Sequence, residues 1–152
     1  MKVVLCTGGF DPLHSGHIAY FNEAKKLGDV LVVGVNSDDW LIRKKGEFFL
    51  SFNERSCIVS NLRVVDQVID FDDKDDTAID AIKRTLSLYP QAEILFANGG
   101  DRTSMNIPEM QNFYNGNVTF MFGVGGSDKK NSSRWILDRW KNNELSKSVG
   151  AT

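Results

Sequence analysis

The sequence predicts an α/β fold, a three-layer sandwich in which helices cover both faces of a five-stranded parallel sheet. Two observations support this prediction. Short apolar runs rich in β-branched residues alternate along the chain with amphipathic stretches of about ten to fourteen residues, which is typical of a parallel sheet covered by helices. The runs are mostly apolar, as expected of strands that are buried on both faces.

The elements can be placed in order along the chain. Strands are expected at residues 2–7, 30–35, 65–71, 93–97 and 118–122. The first helix is expected over residues 16–27, where apolar residues recur at helical spacing. Later helices are indicated by an S-x-x-E capping box at residues 51–54, the stretch 77–88, Pro108 in a first turn, and Ser132 or Ser133 as a cap. This alternation is typical of a Rossmann-like fold.

Length and composition limit the possible functions. A chain of 152 residues is near the usual size of one domain, so we expect one domain over residues 1–142 and a polar tail over residues 143–152. The hydrophobic fraction of 41% and the charged fraction of 25% exclude disordered and collagen-like proteins. A formal net charge of −2 gives no general attraction to nucleic acid or to an anionic membrane, so neither is an expected partner.

Three smaller features carry no chemistry in this interpretation. The apolar start of the chain is too short for a signal sequence or a membrane span, and we expect a cytoplasmic protein. Cys6 and Cys57 lack metal-ligand spacing and lie in apolar segments, which indicates buried, reduced thiols. The acidic run at residues 72–76 is most simply a solvated loop.

The fold class also predicts where a ligand binds. In an open parallel sheet, ligands bind beyond the carboxyl ends of the strands, where the strand order reverses. The segments that follow strands one, two, four and five are residues 7–17, 36–46, 98–102 and 123–133. These segments contain nearly all of the residues that are candidates for binding or catalysis, so we expect the ligand-binding site there.

Both histidines of the chain, His14 and His17, lie between the first strand and the first helix. The glycines before them allow close approach of a ligand, and the helix N-terminus offers N–H groups and a positive dipole end to phosphate. Three residues apart, both rings can face one phosphate. A capping role is the competing interpretation, but the pair in this context favours phosphate binding. The G-x-G-x-x-G and G-K-[ST] motifs of other phosphate sites are absent.

The segment Gly9-Phe10-Asp11-Pro12-Leu13-His14-Ser15-Gly16-His17 closely resembles the G-x-F-D-x-x-H-x-G-H signature of the cytidylyltransferase-like nucleotidyltransferase superfamily. The likeness extends over most of the chain, at residues 35–38, 44–46, 54–55, 99–101 and 131–133. In order and spacing, the sequence is most similar to glycerol-3-phosphate cytidylyltransferase and to the nucleotidyltransferase domain of the heptose-phosphate enzymes.

The resemblance implies a catalytic group of four residues. His14 and His17 would contact the triphosphate and stabilise the charge that grows while the acceptor's phosphate oxygen attacks the α-phosphorus and pyrophosphate leaves. Lys45 is preferred to Lys44 as the lysine that reaches over the phosphates. Arg55 would bind phosphate through its planar guanidinium.

The resemblance also implies contacts to both substrates. The expected nucleotide-binding residues are Thr7, Gly8, Gly9, Phe10, Lys44, Gly99, Asp101, Ser132 and Ser133. The expected substrate-binding residues are Asp11, Asp38 and Arg102. Of these, Asp11 is expected to act mainly by fixing the signature segment through hydrogen bonds, because a carboxylate in contact with the triphosphate would be repelled.

The sequence departs from the glycerol-phosphate type near its last helix. Arg134 replaces a threonine, and residues 125–130, which include Lys129 and Lys130, replace an R-T-x-G segment. The first interpretation is cytidylyl transfer from CTP to glycerol-3-phosphate or a similar sugar or alcohol phosphate. The alternatives are adenylyl transfer from ATP, as in the heptose-phosphate, pantetheine-phosphate and flavin enzymes, and a nucleotide-binding regulator without catalysis.

Two further expectations concern partners. Magnesium should accompany the triphosphate and neutralise part of its charge, but no protein side chain is assigned to the metal. The resemblance implies a homodimer. Aromatic residues beside the lysines could form an interface or a lid, although such residues more often belong to the core; they are Trp40, Phe48, Phe49 and Phe52.

Overall fold

The computed structural model of the 152-residue protein describes residues 1–99, 107–113, 116–125 and 132–150. The strands are β1 (Lys2–Gly8), β2 (Val30–Val35), β3 (Gln67–Ile69), β4 (Glu93–Ala97) and β5 (Val118–Met121). The helices are α1 (Ser15–Lys25), α2 (Asp38–Lys45), α3 (Phe52–Ser60), α4 (Ile79–Leu88), α5 (Glu109–Asn112) and α6 (Ser133–Gly150). All strands pair in parallel in the order β3-β2-β1-β4-β5, which confirms the predicted sheet.

Helices cover both faces of the sheet. Successive residues of β1 point to opposite sides. Val3 and Leu5 pack in one buried cluster with Ile82 of α4, whereas Val4 packs in the other with Phe21 of α1. The three-layer sandwich is therefore confirmed. The strand order reverses between β1 and β4, so the carboxyl end of β1 opens at the position where such folds bind ligands.

Helix α2 occupies a segment for which the sequence predicts a loop. Leu41 is its single buried residue, so the apolar periodicity that identifies an amphipathic helix is weak. The capping signals are in place: the Ser37 hydroxyl accepts a hydrogen bond from the Trp40 amide, and Gly46 ends the helix at a φ of 88°, which favours glycine. The lysines that were expected on a loop therefore lie in the last turn of a helix.

The remaining differences are shifts of element boundaries. Strand β3 has three residues because only Gln67–Ile69 pair with β2. Helix α4 begins at Ile79 rather than at residue 77, because the Thr77 hydroxyl and amide donate to Asp75 and the Glu109 carboxylate accepts from the Ala78 amide. These hydrogen bonds hold Thr77 and Ala78 in the turn that precedes the helix.

Two predicted helix caps are confirmed. The Ser51 hydroxyl accepts from the Glu54 amide at 3.4 Å, and Ser132, rather than Ser133, accepts from the Trp135 amide at 3.0 Å. Helix α6 runs to Gly150, through the boundary expected at residue 142, and a separate tail over residues 143–152 stays a prediction.

The two thiols differ in exposure. Cys6 is buried in β1 as expected, and burial raises its pKa to about 12. Cys57 is exposed on α3, which corrects the expectation of a buried thiol. Among the described residues, no helix combines the length and the apolar character that a membrane crossing requires.

Candidate active site

The chain leaves β1 through a signature loop, residues 8–14. Two glycines begin this loop, and side chains of the protein lie so close to both that a larger residue would collide with them. A Cβ on Gly8 would lie 2.9 Å from the Phe10 ring, and a Cβ on Gly9 would lie 2.9 Å from Leu41 of α2. Phe10 has a φ of 52°, and its ring is buried in the core. The ring of Phe10 is thus unavailable to a nucleotide, whereas Thr7, Gly8 and Gly9 are partly exposed. The nucleotide contacts of all four residues stay predictions.

Asp11 fastens the signature loop to the segment before α3. Its side chain is buried, and its two carboxylate oxygens accept hydrogen bonds of 2.6 Å from the amides of Phe49 and Leu50. The expectation that Asp11 fixes the loop is confirmed. Its assignment to substrate binding stays a prediction, and each oxygen already accepts one bond from the chain.

His14 and His17 cap helix α1 with their Nδ1 atoms. His14 Nδ1 accepts from the Gly16 amide at 3.0 Å, and His17 Nδ1 accepts from the His14 amide at 3.2 Å, which completes a capping box. The stacked rings have centroids 3.8 Å apart. A ring nitrogen that accepts a hydrogen bond carries no proton, so each neutral ring is protonated on Nε2. Capping and phosphate binding are therefore compatible, because they use different nitrogens.

The surroundings of His17 keep its ring neutral. Burial lowers the pKa of His17 to about 3, and the neighbouring His14 and Lys45 act in the same direction. The ring also packs edge-on against Phe10, with 5.0 Å between the centroids. At neutral pH, His17 is therefore a neutral hydrogen-bond donor and not a cation.

Of the two candidate lysines, Lys45 lies against the signature loop. It is partly buried, and its Nζ donates to the backbone oxygen of Asp11 at 3.2 Å. Burial lowers the pKa of Lys45; Asp11 opposes this shift, and nearby cations that include Arg134 reinforce it. Lys44 is exposed, with its Nζ 4.6 Å from the centroid of the Trp40 ring. The geometry favours Lys45, and a nucleotide contact of Lys44 stays a prediction.

The N-terminus of α6 lies on the signature loop. The Ser133 hydroxyl donates to the backbone oxygen of Pro12 at 2.8 Å, and the Ser132 hydroxyl caps the helix. A helix N-terminus with its positive dipole end thus lies against the loop that leads to the two histidines. Both serines lie where the resemblance places them, but these bonds are to the chain, so their contacts with phosphate stay predictions.

The aromatic residues near the lysines divide into two groups. Trp40 and Phe52 are partly buried, whereas Phe48 and Phe49 are exposed and do not belong to the core. The ring of Phe49 packs edge-on against Trp140 of α6, with 6.2 Å between the centroids. Helix α6 therefore contacts the segment that follows α2.

Arg55 differs from its predicted role. Its side chain is fully buried, and its Nε and Nη1 atoms donate to the backbone oxygens of Leu50, Gly9 and Asn36 at 2.7–2.9 Å. Its Nη2 pairs with the Asp38 carboxylate at 2.7 Å. Four hydrogen bonds of the guanidinium are thus made to the chain. The assignment of Arg55 to bidentate phosphate binding is corrected, because this buried group joins segments of the protein.

The other predicted contacts are placed only in part. Asp38 is one-third exposed at the start of α2, with one oxygen bound to Arg55, and its contact with an acceptor stays a prediction. Gly99 follows β4 at the same edge of the sheet, with open space where a Cβ would lie. Asp101, Arg102, Lys129 and Lys130 lie outside the described residues.

Asp73 is a residue of this edge that the sequence did not reveal. The acidic run was expected to be solvated, but Asp73 is buried. Its Oδ2 accepts from the Asn36 amide group at 3.0 Å and from the Ser37 backbone amide at 2.8 Å, and its Oδ1 accepts from the Ser37 hydroxyl at 2.7 Å. The available signal was its position: a carboxylate after strand three, at the edge where Asn36 and Ser37 follow strand two.

Sequence comparisons identify relatives over most of the chain. A family model described as cytidylyltransferase-like matches residues 5–116. The bifunctional protein HldE of Pelobacter propionicus is 34% identical over 143 residues, which cover 91% of this chain and 28% of that protein. The bifunctional protein HldE of Campylobacter concisus is 46% identical over 85 residues, 55% of this chain and 18% of that protein. The chain thus spans less than a third of these curated relatives.

Solved structures show the same fold. A lipopolysaccharide core biosynthesis protein from Thermoplasma volcanium is 31% identical, with a TM-score of 0.62 over 80% of this chain and 95% of that chain. A putative nicotinate-nucleotide adenylyltransferase from Vibrio parahaemolyticus has a TM-score of 0.64 over 90% of this chain and 84% of that chain. At 16% identity, the second likeness concerns the fold alone.

The corrected role of Arg55 predicts a loss of stability in the variant Arg55→Met. The variant leaves the partly exposed Asp38 unpaired and removes the donor of three backbone oxygens; a buried acceptor left unsatisfied costs about 1–3 kcal/mol, so the free energy of unfolding should fall by about 3 kcal/mol or more. Urea denaturation measures it. Arg84→Met is the matched control, because Arg84 pairs with Asp70 and Asp80 on an exposed surface and its loss should cost little. An Arg55→Met protein of unchanged stability would contradict the structural role.

The surroundings of His17 predict a loss of stability in acid. The unfolded chain binds a proton at His17 near its ordinary pKa of 6.5, whereas the folded chain binds it only near pH 3. The unfolded state therefore holds more protons between these values, and the stability contributed by the neutral ring is lost as the pH falls from 6.5 towards 3. NMR titration of the imidazole should show no protonation of His17 at pH 5. A His17 signal that titrates near pH 6.5 would contradict the prediction.

Proposed function

The chain belongs to the cytidylyltransferase-like family of nucleotidyltransferases, and we propose that it transfers a nucleotidyl group from a nucleoside triphosphate to the phosphate of a small-molecule acceptor, releasing pyrophosphate. One observation carries the proposal. The stacked pair His14 and His17 fixes the N-terminus of α1 with Nδ1, which places the proton of each neutral ring on Nε2, at the carboxyl edge of the sheet. Two such donors at a helix N-terminus match the chemistry of a triphosphate.

The proposed reaction needs no covalent intermediate with the protein. An oxygen of the acceptor's phosphate attacks the α-phosphorus, the bond from that phosphorus to the bridging oxygen breaks, and pyrophosphate leaves with the electron pair. The Nε2–H groups of His14 and His17 donate to the phosphate oxygens on which charge grows, and Lys45 approaches from α2. The contribution of the protein is positioning and electrostatic stabilisation, which dominate this class of transfer.

Magnesium enters the proposal as the counter-ion of the triphosphate. In the part of the chain that the structure describes, no group of three or more His, Cys, Asp or Glu side chains is arranged to hold a metal ion. Mg²⁺ commonly binds substrate phosphates and water with only one or two carboxylates. We therefore assign no dedicated protein site to the metal and route no step of the reaction through it.

For the acceptor we propose a sugar phosphate. The solved relative at 31% identity is a lipopolysaccharide core biosynthesis protein, and such a core is built from sugars. The replacements at Arg134 and at residues 125–130 also separate this chain from the glycerol-phosphate type. Of the two types that the sequence resembles, the heptose-phosphate type acts on a sugar phosphate and uses ATP. We therefore place ATP before CTP, which reverses the order expected from the sequence alone. The homodimer stays a prediction.

The proposed activity predicts the outcome of a substrate panel. Pyrophosphate release is measured with ATP, CTP, GTP and UTP, each against sugar phosphates and glycerol-3-phosphate. We expect turnover with ATP and a sugar phosphate. Turnover with CTP alone would restore cytidylyl transfer as the first choice. Nucleotide binding without pyrophosphate release from any pair would contradict catalysis and favour a nucleotide-binding regulator.

The proposed role of Nε2 predicts that His14→Asn lowers kcat but keeps the fold. Asparagine is among the best N-cap residues, so the start of α1 should be retained. The lost donor should lower kcat by about 10²–10³-fold, the usual effect of removing one donor that stabilises a transition state. The control is Thr77→Ala, which removes a hydroxyl that accepts from the Ile79 amide at the start of α4. The control should lose a little stability and no activity; equal activity in both variants would refute the role of His14.

A further inference from the structure

Four residues tie helix α2 to the loop between β3 and α4: Ser37, Arg43, Asp73 and Asp76, which we call the α2 clamp. At the start of the helix, the Ser37 hydroxyl accepts from the Trp40 amide and donates to Asp73 Oδ1 at 2.7 Å. Near its end, the Nη2 of Arg43 donates to the backbone oxygen of Asp73 at 2.7 Å and to Asp76 Oδ1 at 3.0 Å. The clamp therefore binds α2 to this loop near both ends of the helix.

The clamp matters because α2 has little apolar contact with the body of the protein. Leu41 is the only buried residue in its eight positions. A helix that buries one side chain is poorly fixed by packing, so polar bonds must set its position. Asp73 can do this because it is buried and its side-chain acceptors are engaged by Asn36 and Ser37. The loop that contains Asp73 is thus a firm support for α2.

The position of α2 sets the position of Lys45. Arg43 lies two residues before Lys45, in the same last turn of the helix. From that turn, the Nζ of Lys45 reaches the backbone oxygen of Asp11, 3.2 Å away, in the signature loop. Gly46 then ends the helix, so a displacement of the last turn would carry the lysine away from the histidines.

We propose that the α2 clamp positions Lys45 for nucleotidyl transfer, so that Arg43, Asp73 and Asp76 are positioning residues that act through Lys45. The proposal rests on the proposed function of the site. Two residues of the acidic run after β3, Asp73 and Asp76, thereby gain a role that the sequence pattern does not indicate. The hydrogen bonds and ion pairs of Arg43 itself run to Asp73 and Asp76, not to the signature loop.

The first test is a double-mutant cycle in the intact protein with Arg43→Gln and Lys45→Ala. A misplacement of about 1 Å can cost about 10²-fold in rate, so Arg43→Gln should lower kcat by about tenfold to a hundredfold, with a smaller change in KM. In the Lys45→Ala background the same change should cost almost nothing, because the group that it positions is absent. Equal losses in both backgrounds would overturn the proposal.

Two further variants keep this test specific. Asp76→Asn removes the charge partner of Arg43 at a residue with a φ of 62°, which asparagine tolerates well, and should reproduce the loss in kcat. Arg84→Gln is the matched control: Arg84 and Arg43 are similarly exposed, at 44% and 40%, and each pairs with aspartates. The control should keep full kcat. Loss of activity in Arg84→Gln would indicate a general effect of lost surface ion pairs and overturn the proposal.

A second readout does not depend on activity. NMR titration of the Lys45 ammonium group reports its surroundings, which lower its pKa chiefly by burial. Arg43→Gln and Asp76→Asn should move this pKa back towards the ordinary lysine value, because the released helix end exposes the ammonium. An unchanged Lys45 titration would overturn the clamp even if turnover were lost. A restored titration in a protein that transfers no nucleotide would support the clamp and reject the proposed function instead.

Discussion

One buried guanidinium joins the segments that form the site. Arg55 belongs to α3, yet its hydrogen bonds reach the signature loop at Gly9, the end of β2 at Asn36 and the start of α2 at Asp38. A buried charge is tolerated only while it is paired and hydrogen-bonded, so these segments cannot separate without leaving a cation unpaired. The apolar core fixes the sheet, whereas this polar centre fixes the signature loop and the start of α2 at the edge of the sheet.

The same residues serve the fold and the proposed chemistry by dividing their atoms between the two. His14 and His17 use Nδ1 to cap α1, and that choice assigns the proton of each neutral ring to Nε2. Lys45 divides its atoms in the same way: its backbone is the last residue of α2, and its Nζ donates to the signature loop. A donor whose position is fixed by the backbone needs no reorganisation when charge develops nearby, which is the condition for effective electrostatic stabilisation.

The sequence predicted the sheet and the histidine pair because both signals are local. Each strand is a short, mostly apolar run, and the signature is a run of neighbouring residues. Helix α2, Arg55 and Asp73 escaped prediction for a different reason: their roles depend on which backbone groups meet them after folding. An arginine near a phosphate site indicates a ligand contact as readily as a buried ion pair, and only the carbonyls that converge on Arg55 decide between the two. An aspartate in an acidic run gives no sign that it is buried.

The charges around the signature loop explain why such a site should prefer a strongly anionic ligand. Burial lowers the pKa of both His17 and Lys45, and each group is further disfavoured as a cation by its neighbours. The Asp11 carboxylate, which is bound to backbone amides, raises the pKa of Lys45 but does not cancel the lowering by burial and by the neighbouring cations. A triphosphate would supply the missing negative charge beside Lys45 and the N-terminus of α6. The electrostatic cost of keeping Lys45 charged would then be relieved on binding, which favours a polyanion over a neutral ligand of the same shape.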